Sequence, residues 1–238
     1  MSSLINSIKS VRKGVVAIAY KQHNVLDNSD QISVAGTGFL FSKEKLLICT
    51  CAHVVAPNGI QRTDAQLQVG IVTERNVVGY PAKIVSLDFK KDLAILNVPS
   101  GDPKVIATLE ELKLGDSKPL EQGEEIGFLG FPFGMVLSND ITPSAAKGII
   151  SAFRRDLTTG STELIQLDAV VGGGNSGAPV FLSSTSEVIA IVKGRFDPLM
   201  KGRPPKLIID GEPLEIFTNI GFAQPINVAK GFLLSSLK

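Results

Sequence analysis

Residues 170–180 read Val170-Val171-Gly172-Gly173-Gly174-Asn175-Ser176-Gly177-Ala178-Pro179-Val180. Four of the six residues from Gly172 to Gly177 are glycine. That composition permits tight turns and close approach of a ligand to main-chain N–H groups. A serine held in such a turn has backbone donors on both sides. Taken alone, the segment fits a glycine-rich hairpin loop equally well. The choice depends on what surrounds it, and apolar residues flank it on both sides.

Outward from that turn the chain repeats one rhythm. Short runs of Val, Ile, Leu and Phe are broken about every ten residues by Gly, Pro, Asn or Asp, which is the pattern of an all-β protein. The expected strands cover 14–21, 33–41, 45–50, 66–71, 77–86, 93–98, 125–130, 145–151, 163–167, 178–182, 187–192 and 218–223. Twelve short strands suggest barrels rather than a parallel sheet with crossover helices. The polar stretch around Lys113 to Glu125 divides them six and six. The expected organisation is an N-terminal barrel over 1–114, a linker over 115–124 and a C-terminal barrel over 125–238. Helix signals are confined to the ends. Leu4, Ile5, Ile8 and Val11 share one face behind Ser2 or Ser3 as cap, and Asn227 is a good N-cap for a helix over 228–237.

Composition narrows the function classes. The 238 residues carry 24 Lys+Arg against 23 Asp+Glu, a net charge of +1, with 44% hydrophobic residues. This is too apolar and too balanced for a disordered chain. It offers no general field for nucleic acid or an acidic membrane, so neither is an expected partner. No window approaches the roughly 18–20 apolar residues that cross a bilayer. The N-terminus lacks a secretory pattern, which makes the cytoplasm the expected compartment. Cys49 and Cys51, two apart on an expected strand, are too close for an unstrained disulfide and read as free thiols. No Cys/His cluster has metal-ligand spacing and no phosphate-binding glycine loop precedes a helix, so no metal and no cofactor are expected.

Two other segments carry chemistry. Leu47 to Val55 is an apolar strand running into His53, and Lys91-Asp92-Leu93 puts an acid at the start of another. Alone, His53 reads as a packed or surface histidine and Asp92 as a turn or strand cap. Together with Ser176 they have the residue types of a nucleophile, a base and an orienting carboxylate. A serine hydroxyl attacks only when an imidazole takes its proton, and the imidazole needs a carboxylate to set its tautomer. The oxyanion formed on attack needs two N–H donors, which the turn offers from Gly174 and Ser176.

The segments Thr50-Cys51-Ala52-His53-Val54-Val55, Asp92 to Leu96, Gly115-Asp116-Ser117, Ile126 to Gly134, Gly148 to Ser151, Gly174-Asn175-Ser176-Gly177 and Ile220 to Asn227 occur in the same order in the HtrA/Deg-like branch of the chymotrypsin-fold serine proteases. Over about residues 10–235 the chain resembles that family. The resemblance implies two six-stranded antiparallel β-barrels with short terminal helices and an active site in the cleft between them. His53 and Asp92 would come from the first barrel and Ser176 from the second. Family members usually carry a C-terminal PDZ domain, and none is expected within these 238 residues. They commonly have Asn-Pro-Gly where this chain has Gly172-Gly173-Gly174. Three glycines raise the entropy that ordering this loop must overcome, so it is expected to sample a flipped peptide.

The expected activity is a cofactor-free serine endopeptidase acting on polypeptides, with a homo-oligomer left open. Val170 stands six residues before Ser176, where trypsin-like enzymes carry an aspartate. With Val171 it would wall an apolar pocket for a small or medium aliphatic P1 side chain. Val192-Lys193-Gly194 resembles the strand that pairs with substrate backbone. The basic stretch from Arg195 to Lys206 is expected to be a surface loop or a lid near the pocket. The competing expectation is a protease-fold module that holds extended peptides with little turnover.

Overall fold

A computed structural model describes residues 3–24, 28–73, 77–132, 141–195, 208–209, 212–213 and 218–237. Its N-terminal half contains seven strands: β1 (Val15–Asn24), β2 (Ser29–Ser42), β3 (Leu47–Thr50), β4 (Gln66–Val72), β5 (Val77–Pro81), β6 (Lys83–Asp88) and β7 (Leu93–Asn97). They form one antiparallel sheet in the order β5-β4-β1-β2-β3-β7-β6. The expected strand over 77–86 is therefore two strands, and the first sheet has seven rather than six. The break falls at Pro81-Ala82. Proline has no N–H for a ladder, and the Ala82 N–H donates to the Leu67 carbonyl at 3.0 Å. β5 and β6 are separated by this one residue yet occupy opposite edges of the sheet. The sheet must therefore curl until its edges meet.

The C-terminal half supplies β8 (Glu125–Gly130), β9 (Ser144–Arg155), β10 (Thr162–Asp168), β11 (Pro179–Leu182), β12 (Val188–Arg195) and β15 (Ile220–Pro225). These close as a six-stranded barrel in the order β10-β15-β12-β11-β8-β9. A two-residue pair, β13 (Ile208–Ile209) with β14 (Glu212–Pro213), stands apart. Of the expected loop from Arg195 to Lys206, Arg195 ends β12 and the rest lies outside the described residues, as does the Phe133-Gly134 end of the Ile126 motif.

Helix α1 (Ser3–Val11) matches the expected N-terminal helix. The C-terminal helix, α4 (Ile226–Ser235), starts earlier than expected, with Pro225 at its N-cap. Asn227 is inside it and is not the cap. Its side-chain Nδ2 donates to Asp116 Oδ1 at 2.7 Å and its Oδ1 accepts from the Ser117 N–H at 3.1 Å, tying α4 to the expected linker. Helices are also not confined to the ends: α2 (Ala52–Val55) and α3 (Pro103–Ala107) lie within the first half.

Two hydrophobic clusters form the interior. One fills the second barrel around Ile126, Phe128, Ile165 and Val180. The other fills the first sheet around Phe39, Ile48, Ile95 and Leu96. It continues into the C-terminal half through Phe131, Phe181, Val188 and Leu233. Fully burying a side chain of this size stabilises a fold by about 1.5–3 kcal/mol, so the shared cluster welds the halves together.

Candidate active site

Strand register brings His53 to Asp92. β3 pairs with β7 so that Thr50 lies opposite Ala94. The chain leaves β3 through Cys51 in extended conformation and turns into α2, of which His53 is the second residue. On the neighbouring strand Asp92 stands just before Leu93, with φ of 57°. Asp and Asn enter this left-handed region more readily than other side chains. The turn aims the carboxylate at the start of α2, where backbone donors have no intrahelical acceptor. The His53 N–H donates to Asp92 Oδ1 at 3.0 Å, and His53 Nδ1 lies 3.0 and 2.9 Å from Asp92 Oδ1 and Oδ2.

The electrostatics of this contact decide the tautomer. Burial pushes the Asp92 carboxyl upward, but the hydrogen bonds and charge of His53, with Lys193 further off, outweigh it and hold the carboxyl below its ordinary value. Asp92 is thus an ionised, acceptor-only group. The proton between the two side chains sits on Nδ1, which leaves Nε2 as the free ring nitrogen. The His53 side chain is 46% exposed and that of Asp92 20%, so the ring faces solvent while its carboxylate is shielded.

The nucleophile candidate sits on a turn pinned at nearly every peptide. The Asn175 N–H donates to the Gly172 carbonyl at 3.2 Å and the Ala178 N–H to the Asn175 carbonyl at 3.0 Å. The Ser176 carbonyl accepts from the Thr37 N–H at 2.9 Å, and the Gly177 N–H donates to the Val192 carbonyl at 2.8 Å. Gly174 and Gly177 have φ of 91° and 87°. A Cβ at Gly177 would overlap the Thr37 carbonyl and Thr50 Oγ1, so glycine is required there. Among the described residues no acceptor lies on the N–H of Gly174 or of Ser176.

The Ser176 hydroxyl donates to the Lys193 carbonyl at 3.2 Å rather than to His53. His53 and Asp92 are hydrogen-bonded to each other, and Ser176 lies on the facing turn without a bond to either. The two turns share one acceptor, because the Val192 carbonyl also takes the Cys51 thiol at 3.3 Å. Cys51 and Cys49 are buried and unpaired, and burial pushes both thiols up. Cys51 Sγ, one His53 nitrogen and one Asp92 oxygen lie within 4.8 Å of one another, the one cluster close enough for a metal among the described residues.

The remaining expected site residues divide. Val170 is 51% exposed, whereas Val171 is 2% exposed and packs in the second barrel's core, where it would meet any Cβ at Gly221. Val192 pairs with Ala223 and Gly194 with Phe222 of β15, with a bulge that singles out Lys193. On the other side β11 pairs with β12 only as far as Ile191. Beyond it that edge of β12 has no strand partner among the described residues. Lys193 Nζ reaches Gln224 Oε1 at 3.4 Å.

Sequence reading passed over Thr37. Its hydroxyl donates to the Gly174 carbonyl at 2.7 Å and accepts from the Phe131 N–H at 3.1 Å. The available signal was its setting in Gly36-Thr37-Gly38, since glycines inside an apolar strand mark close backbone approach.

Serine protease HTRA4 of Mus musculus is 31% identical over 189 residues, covering 77% of this chain and 35% of its own length. Serine protease HTRA1B of Danio rerio is 29% identical over 234 residues, covering 96% and 40%. The chain thus spans less than half the length of these relatives. The solved structure of the HtrA-type protease AlgW with decapeptide superposes with a TM-score of 0.71 at 22% identity, over 98% of this chain and 66% of that one. It shares the fold. The model of the trypsin-like peptidase domain matches residues 36–191, a span that takes in His53, Asp92 and Ser176, and the chain belongs to that family.

Proposed function

We propose that this chain is a serine endopeptidase in which Ser176 is the nucleophile, His53 the general base and acid, and Asp92 the group that orients it. The observation that carries the reading is the pair of N–H groups at Gly174 and Ser176, without acceptors among the described residues, in a turn held at Asn175, Gly177 and Ala178. Preorganised donors of this kind stabilise the charge that develops on a substrate carbonyl oxygen, commonly the largest single contribution to acyl transfer.

The reaction starts with rotation of the Ser176 hydroxyl from the Lys193 carbonyl toward His53 Nε2. Nε2 takes the proton while Oγ bonds to the carbonyl carbon, and the oxyanion accepts from Gly174 and Ser176. His53 then gives its proton to the leaving amine as the C–N bond breaks. Water, deprotonated by His53, releases the acyl group and restores Ser176. The edge of β12 beyond Val192, without a strand partner among the described residues, suits an extended substrate that adds a strand. Exposed Val170, with no charge at that position, supports a small or medium aliphatic P1 residue.

A fluorophosphonate should label wild-type protein at Ser176. Ser176→Ala should abolish labelling and lower turnover by on the order of a million-fold, as for other triad serines. A peptide library should favour aliphatic P1, and a clear preference for Lys or Arg would overturn that assignment. The resting bond from Ser176 to the Lys193 carbonyl favours one second reading, a peptide-binding module with little turnover. Extended peptides would then bind without labelling or cleavage.

A further inference from the structure

The geometry points to Thr37 as a positioning residue for the nucleophile turn, a role that rests on the protease reading above. Thr37 lies in β2 of the first sheet, 137 residues from Gly174, and is fully buried. It meets the turn at two points. Its hydroxyl donates to the Gly174 carbonyl at 2.7 Å, and its N–H donates to the Ser176 carbonyl at 2.9 Å. Those carbonyls belong to the residues whose N–H groups would receive the oxyanion. On its far side the Thr37 carbonyl accepts from Thr50 Oγ1 at 2.7 Å, three residues before His53. One residue therefore ties the nucleophile turn to the strand that delivers the base.

The surroundings are cut to fit this contact. A Cβ at Gly36 would come within 3.0 Å of the Ser176 carbonyl, and one at Gly130 would lie 3.0 Å from Thr37 Oγ1 and 2.5 Å from Asn175 Oδ1. Glycine at these places lets the two barrels approach to hydrogen-bonding distance. Among the described residues Thr37 is the only partner of the Gly174 carbonyl. Gly172, Gly173 and Gly174 resist reorientation weakly, so the hydroxyl supplies stiffness that the turn's own sequence lacks. An error of about 1 Å in such a frame can cost on the order of 100-fold in rate.

The test compares Thr37→Val, which keeps the shape and removes the hydroxyl, with Thr37→Ser, which keeps the hydroxyl. Kinetics on a cleavable peptide, the rate of Ser176 labelling by a fluorophosphonate, and Tm are measured for each. Thr37→Val should lower kcat and the labelling rate by about 10- to 100-fold, less than the loss of an oxyanion donor itself, with KM essentially unchanged. Thr37→Ser should restore most of kcat. The same peptide as an aldehyde, which forms a tetrahedral oxyanion adduct, should lose affinity in Thr37→Val by a similar factor. Wild-type kcat in Thr37→Val, or a Ser variant as slow as the Val variant, would overturn the assignment. If Thr37→Val and Thr37→Ala both melt below the assay temperature while Thr37→Ser matches wild type, Thr37 is merely structural and the inference falls. Failure of the underlying reading looks different, because wild-type Ser176 would itself go unlabelled, and that result takes this inference with it.

Discussion

Asp92 condenses the site into one residue. Its left-handed backbone, the two-point hold on His53 and its lowered pKa are consequences of one turn entering β7. Asparagine accepts the same φ and nearly the same shape, so Asp92→Asn isolates the charge. The amide can donate to Nδ1 and favour the wrong tautomer. Turnover should therefore drop by about 10⁴-fold, as in other triads. The same substitution tests pH linkage. The folded pKa lies below the unfolded value of about 3.9, so the ionised carboxylate stabilises the fold above that value. This stabilisation is lost as pH falls through the folded pKa. Urea melts should show wild type more stable than Asp92→Asn at neutral pH, with the gap closing in acid. A gap that widens below pH 4 would contradict the assignment.

At the scale of elements, α1 shows how a short helix is held by polar groups as well as by its apolar stripe. Ser7 is buried, donates to the Ser183 carbonyl at 2.9 Å and accepts from the Ser186 hydroxyl at 2.8 Å. Leu4 reaches the same barrel beside Gly127. Ser7→Ala leaves the carbonyl without that donor, which costs about 1–3 kcal/mol. For a chain of this size each kcal/mol lowers Tm by about 2–4 °C. Calorimetry should record that drop while kcat stays at the wild-type value, since α1 does not touch the site. β12 is the complementary case. Ala190 and Ile191 pair with β11 on one side and β15 on the other, Val192 is held on the β11 side by Gly177 and Ala178, and beyond it that edge has no strand partner among the described residues.

At the scale of the molecule, the site exists only where the two halves meet. Thr37 reaches Gly174 and Ser176, Cys51 reaches the Val192 carbonyl, and one apolar cluster runs through both halves. Halves that share a core should unfold together. Loss of Ser176 labelling, far-UV circular dichroism and an intrinsic tyrosine signal should trace coincident denaturant transitions. Two resolved steps, with labelling lost in the first, would show that the barrels melt independently.

Much of this was legible in the linear chain because it rests on local rules. Apolar runs punctuated by Gly, Pro, Asn and Asp marked nearly every strand, and the residue types at 53, 92 and 176 are those of the proposed nucleophile, base and orienting carboxylate. Two readings failed for different reasons: Pro81 ends a strand that periodicity carried through, a local cause, whereas Asn227 resembles a cap but serves Asp116 and Ser117, which lie 111 and 110 residues earlier. What tertiary structure alone decided has a different origin. The resting Ser176 hydroxyl on Lys193, the burial of Val171 beside an exposed Val170, and the hold of Thr37 on Gly174 join positions that share no sequence pattern. Periodicity and propensity report on neighbours along the chain, whereas these contacts are set by strand register and by how closely two separately curled sheets can approach.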